Sequence, residues 1–92
     1  MTKEIYKEKI KTDQQQETAK ERELILINDD FHSFDYVIGA LVDVCSHTYE
    51  QATQCTMITH YKGECEVKKG HFNELRPLRK ALVDRELRAK IN

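Results

Sequence analysis

"ILINDDFHSF", residues 25–34, decides how the chain is read. With Leu24 in front, it is an apolar run that stops at Asn28, Asp29 and Asp30, each carrying a side-chain oxygen, before an amphipathic pattern resumes at Phe34. A short apolar run bounded by polar residues reads as a buried strand. Glu23–Asn28 is therefore predicted as the first strand and Asp29–His32 as a connection. Ser33 is a good N-cap for a first helix, because its hydroxyl can take an orphan N–H of the first turn. Phe34, Val37, Ile38, Leu41 and Val44 or Cys45 then recur at helical spacing and give that helix one apolar face.

Working outward, Thr48 with Gln51 three residues on is a capping-box pattern that opens a second helix. Ala52, Cys55, Ile58 and Thr59 are predicted to share its inner face, and Gly63 to stop it. "ECEVKKG" alternates as a short strand with Cys65 and Val67 inward. A third helix is predicted from near Asn73, with Leu75, Leu78 and Leu82 inward; Pro77 fits only if it falls in the first turn. "LRAKIN" alternates again, placing Leu87, Ala89 and Ile91 on the buried side of a last strand. The expected fold class is α/β: a small β-α-α-β-α-β sandwich, with three helices on one face of a three-stranded antiparallel sheet and the first strand central.

Ahead of this unit, residues 1–21 are mostly Lys, Glu, Gln and Thr. Such a segment buries too little to offset its ordering entropy, so residues 1–21 are expected as a flexible extension and 22–92 as the folded domain.

The chain has 92 residues, a net charge of -1 and 34% charged residues, which suits one small domain and gives no electrostatic case for a nucleic-acid or anionic-membrane partner. No apolar run reaches the roughly 18 residues of a membrane span, and the N-terminus lacks the apolar core of a secretory signal, so a cytosolic protein is expected. Three widely spaced cysteines, Cys45, Cys55 and Cys65, do not read as a disulfide framework.

The acceptors at the strand end carry the first candidate chemistry. Asn28, Asp29 and a His60 late on the second helix can together accept from one ammonium group. The plainer reading is a turn, with Asn and Asp side chains bonding their own backbone. Cys45, His47, Cys55, His60 and Cys65 are metal-ligand types, but none of their spacings makes a CxxC or HExxH pattern. A Cys–His nucleophile has no orienting third group here, and an Asp–His acid–base pair has no visible substrate cradle. Gly39, Gly63 and Gly70 form no phosphate-binding loop.

"LILINDDFHSFDYVIGAL", residues 24–41, followed by "ATQCTMITHYKG", residues 52–63, resembles the ClpS adaptor family, over about Glu23 to Asn92. The resemblance implies an adaptor, not an enzyme and without cofactor. Such an adaptor binds N-end rule substrates (those with a bulky hydrophobic first residue such as Leu, Phe, Tyr or Trp) and delivers them to a ClpA- or ClpC-type AAA+ unfoldase partnered by the ClpP peptidase. It implies that Asn28, Asp29 and His60 bind the substrate α-amino group. It implies a side-chain pocket at Asp30, His32, Phe34, Val37, Thr56, Thr59 and Leu87. Here His32 stands where Thr is usual, Phe34 replaces a Met-like gate, and Thr56 and Thr59 replace larger or purely apolar residues. The expected preference is an aromatic residue or Leu, with β-branched residues excluded. Glu74 and Arg79 fall at the family's unfoldase contact, where the basic member is usually Lys, and Pro77 between them is a departure. A monomer is expected. The alternative is a protein–protein interaction domain of similar fold that does not read N-termini.

Overall fold

The computed structural model describes residues 20–92, so nearly all of the expected N-terminal extension lies outside the described residues. The elements are β1 (Glu21–Ile27), α1 (Phe34–Cys45), α2 (Tyr49–Lys62), β2 (Glu64–His71), α3 (Phe72–Asp84) and β3 (Arg88–Ile91). Both neighbours of β1 run antiparallel to it, in the sheet order β2-β1-β3. This is the architecture expected from the sequence. β1 starts at Glu21, two residues earlier than the predicted Glu23, because Glu21 pairs with His71.

A central strand flanked on both sides explains why Leu24, Ile25 and Leu26 are all buried. Leu24 and Leu26 join the helices in the main core, with Leu41, Ala52, Val67, Leu75, Leu82 and Leu87. Ile25 is outside that cluster and lies opposite Glu66 of β2 and Lys90 of β3.

The predicted caps form. Ser33 Oγ accepts from Tyr36 N at 3.2 Å, and Thr48 Oγ1 from Gln51 N at 3.1 Å. Gly63 ends α2 at φ 93°, a left-handed conformation that Gly adopts without Cβ strain.

Three details depart from the sequence reading. On α2, Thr56 is buried and Ile58 is 41% exposed, so the inner face is Ala52, Thr56 and Thr59, with Cys55 packed against the core at its edge. Pro77 lies inside α3, past its first turn. It removes one helical N–H on the exposed side of the helix, where water can take the freed carbonyl. In β2 the register shifts between Leu24 and Ile25, which face Lys68 and Glu66, so Val67 is passed over. Its side chain enters the core, and its carbonyl accepts from His47 Nε2 at 2.5 Å. His47, considered above only as a metal-ligand type, thus ties the α1–α2 connection to the irregularity in β2.

Candidate functional site

The end of β1 is fastened to the end of α2. Asn28 N donates to Gly63 O at 2.8 Å, and Gly63 N donates to Thr59 O at 2.9 Å. Only a residue that tolerates positive φ turns the chain from α2 into β2 in this way while leaving Gly63 O facing Asn28. His60 sits one turn back on the same helix end, so the backbone bond brings Asn28, Asp29 and His60 to one place.

They border a cavity of about 350 Å³, counting its open mouth. Its lining includes Asn28, Asp29 and His60 on the polar side, and Val37, Thr56, Thr59 and Leu87 on the apolar side. His32 and Phe34 line it as well, with Leu26 and Ile27 beneath. Much of that space is open to solvent, so the enclosed part is far smaller. Of the expected pocket residues, Asp30 alone does not line the cavity; it is exposed. Leu26 and Ile27 were read as strand core and not as pocket floor, although the end of a strand that leads into a site does both.

Asp29 plays the turn role and leaves an anion at the cavity. Its Oδ1 accepts from Phe31 N at 2.9 Å and His32 N at 3.0 Å. The His32 ring adds Nδ1 contacts to Oδ1 at 2.9 Å and Oδ2 at 3.0 Å. Burial pushes this carboxyl up, but the Phe31 N–H, the His32 ring and the His32 N–H together outweigh it and hold the pKa below its ordinary 3.8. A carboxyl whose pKa falls on folding stabilises the fold above its unfolded value and stops doing so as pH drops through its folded value. Wild type is therefore expected to melt above an Asp29→Asn variant at neutral pH. The gap should close below about pH 4, as thermal unfolding followed by circular dichroism will show.

The rest of the site is held by aromatic contacts and satisfied hydroxyls. His32 stacks on Tyr36 at 4.8 Å, and the Tyr36 hydroxyl donates to Arg85 O at 2.8 Å, two residues before Leu87. Phe34 meets His60 edge-on at 5.1 Å, so the candidate gate residue touches the amine-binding candidate. Thr56 Oγ1 donates to Ala52 O, and Thr59 Oγ1 to Cys55 O, each at 2.7 Å. Both buried hydroxyls therefore have their partners within α2, and neither leaves an unpaired donor in the cavity. Neither the Asn28 side-chain amide nor the His60 ring makes a hydrogen bond with another of the described residues.

Glu74 and Arg79 lie away from this cavity on α3. Glu74 Oε1 accepts from His71 N at 3.2 Å at the helix start, and Arg79 Nε donates to Ala89 O at 3.1 Å. Both are exposed and both fasten α3 locally. Among the described residues no three His, Cys, Asp or Glu side chains converge as metal ligands, and no helix is long and apolar enough to cross a membrane.

The fold is similar to that of Agrobacterium tumefaciens ClpS2 bound to L-phenylalaninamide, with a TM-score of 0.74 at 19% identity over 80% of this chain and 96% of that one. No curated protein sequence matches the chain at a significant level. Residues 17–90 match the family described as ATP-dependent Clp protease adaptor protein ClpS. The chain belongs to the ClpS family of Clp protease adaptors.

Proposed function

We propose that this adaptor binds the free α-amino group and the bulky hydrophobic first side chain of N-end rule substrates at the cavity between β1, α1 and α2. One observation carries the reading: three acceptor-bearing residues, Asn28, Asp29 and His60, border the same small cavity that Val37, Thr56, Thr59 and Leu87 line. Asn28 Oδ1 and the Asp29 carboxylate offer acceptors for an ammonium group, and His60 offers a ring nitrogen. L-phenylalaninamide, the ligand of the similar ClpS2, joins a free amine to a phenyl ring and so needs the same two halves.

The substrate would then pass to a ClpA- or ClpC-type unfoldase, through a surface that includes Glu74 and Arg79, for degradation by ClpP. Residues 1–21 would serve as the delivery segment and 22–92 as the adaptor domain. The protein would act as a cytosolic monomer, with no catalysis of its own.

The energetics suit a weak, releasing contact. Burying a Phe or Leu side chain gives roughly 1.5–3 kcal/mol. Each charge-assisted hydrogen bond to the ammonium adds about as much. Association costs remove about 4 kcal/mol or more. Micromolar affinity, about -8 kcal/mol, is the upper range.

A series of labelled peptides differing only in a free first residue tests this by fluorescence anisotropy. Phe, Leu, Tyr or Trp should bind, and Ala, Val and Ile at least about tenfold more weakly, for want of fit or buried area. Equal binding across the series would remove the side-chain half of the proposal.

A further inference from the structure

Cys55 on α2 and Cys65 on β2 aim their sulfurs at one backbone oxygen, Glu66 O, at 4.0 Å and 3.4 Å. The sulfurs are thus no farther apart than those two distances laid end to end. Both residues are only partly buried. The third cysteine, Cys45, is 1% exposed in the core.

We propose that Cys55 and Cys65 are an oxidisable dithiol, a modification site for peroxide whose closure to a disulfide pins α2 to β2 behind the cavity. The Cys55 thiolate, its proton lost to water, attacks one peroxide oxygen. The O–O bond breaks, hydroxide leaves and takes a proton, and Cys55 becomes a sulfenic acid. Cys65 attacks that sulfur, the S–S bond forms, the S–O bond breaks, and the oxygen leaves as water with the Cys65 proton. Two thiols lose two electrons, and one hydrogen peroxide becomes two waters.

The first attack falls to Cys55. Burial, then the charge of Cys55, push the Cys65 thiol up to about 12, so Cys65 keeps its proton until the second step. Burial pushes Cys45 up to about 11, which makes it a spectator. The pair also has a path to the cavity. Thr59 Oγ1 bonds Cys55 O, Thr56 follows Cys55 in the chain, and Leu26 pairs with Cys65 in the sheet register. Leu26, Thr56 and Thr59 all line the cavity.

The test treats the full chain with hydrogen peroxide, blocks remaining thiols, and maps tryptic peptides without reduction. Trypsin cuts at Lys62, between the two cysteines, and a further digest with Glu-C cuts at Glu50, between Cys45 and Cys55, which trypsin leaves on one peptide. The expected product links Cys55 to Cys65 and leaves Cys45 alkylated only after denaturation. In ¹H–¹⁵N spectra the Thr56, Thr59 and His60 amides should shift and return on reduction. Cys65→Ser should stop at a Cys55 sulfenic acid that dimedone traps. Recovery of Cys55 and Cys65 on separate, singly modified peptides, or a link to Cys45 instead, would overturn the dithiol. A link formed without movement of those amides would overturn its path to the cavity. No peptide ligand enters either readout, so the result is independent of the proposed amine binding.

Discussion

Replacing Asp29 by Asn is expected to weaken binding of a peptide with a free N-terminal Phe by about 10- to 100-fold, the worth of one charge-assisted hydrogen bond of roughly 1.5–3 kcal/mol. The substitution separates the two roles of this residue. An Asn side chain keeps an Oδ1 that can accept from Phe31 N and His32 N, so the turn persists. What it loses is the negative charge, which the same N–H groups and the His32 ring stabilise at neutral pH. Asp30→Asn is the matched control. Asp30 is exposed and does not line the cavity, so less than about a twofold change is expected there. Titrations of both variants by anisotropy check the pair. Equal losses at Asp29 and Asp30 would point to net charge rather than a specific contact.

Leu82→Ala is expected to lower stability by about 2–5 kcal/mol. Leu82 is 0% exposed on α3, in the cluster that also holds Leu24 and Leu26 of β1. A domain of this size has little stability to spare, and each kcal/mol moves the melting temperature by roughly 4–8 °C. Urea unfolding should show a lower midpoint with an unchanged slope. Binding per folded molecule should stay within about twofold, because Leu82 does not line the cavity. A stable Leu82→Ala protein would mean that α3 contributes little to the packing on the sheet.

The frame of the fold was legible because its punctuation is local. Ser33, Thr48 and Gly63 each act within three or four residues of themselves, and each ends or starts a helix as its chemistry demands. The apolar run of β1 revealed a central strand for the same reason. Non-local choices were hidden. The outer face of α2 carries Met57, Ile58 and Tyr61, so apolar spacing alone could not show that Thr56 rather than Ile58 faces inward. The tolerance of Pro77 inside α3 depends on which side of the helix meets water. The passed-over Val67 and its bond to His47 join residues twenty apart, which no periodicity records.

The candidate site was legible in its residue types and not in its geometry. "NDD" alone reads as a turn, and Asp29 indeed builds one. What brings His60 beside it is the single bond from Asn28 N to Gly63 O, and what frames the pocket is the pairing of β1 with both neighbours. The resemblance named residues that, Asp30 excepted, the fold gathers around one cavity, but the satisfaction of Thr56 and Thr59 by their own helix had to be seen. That detail removes the penalty that an unpaired buried hydroxyl would carry.

The most direct measurement is a pair of anisotropy titrations with two peptides, identical except that one begins with a free Phe and the other with N-acetyl-Phe. Acetylation removes the positive charge and replaces an ammonium with an amide, while leaving the phenyl ring to fill the cavity. Micromolar binding of the free peptide is expected, with loss of about 100-fold or more on acetylation, since every acceptor at Asn28, Asp29 and His60 then loses its charged partner. Equal affinity for the two peptides would contradict amine recognition and leave the cluster as a turn at the end of β1.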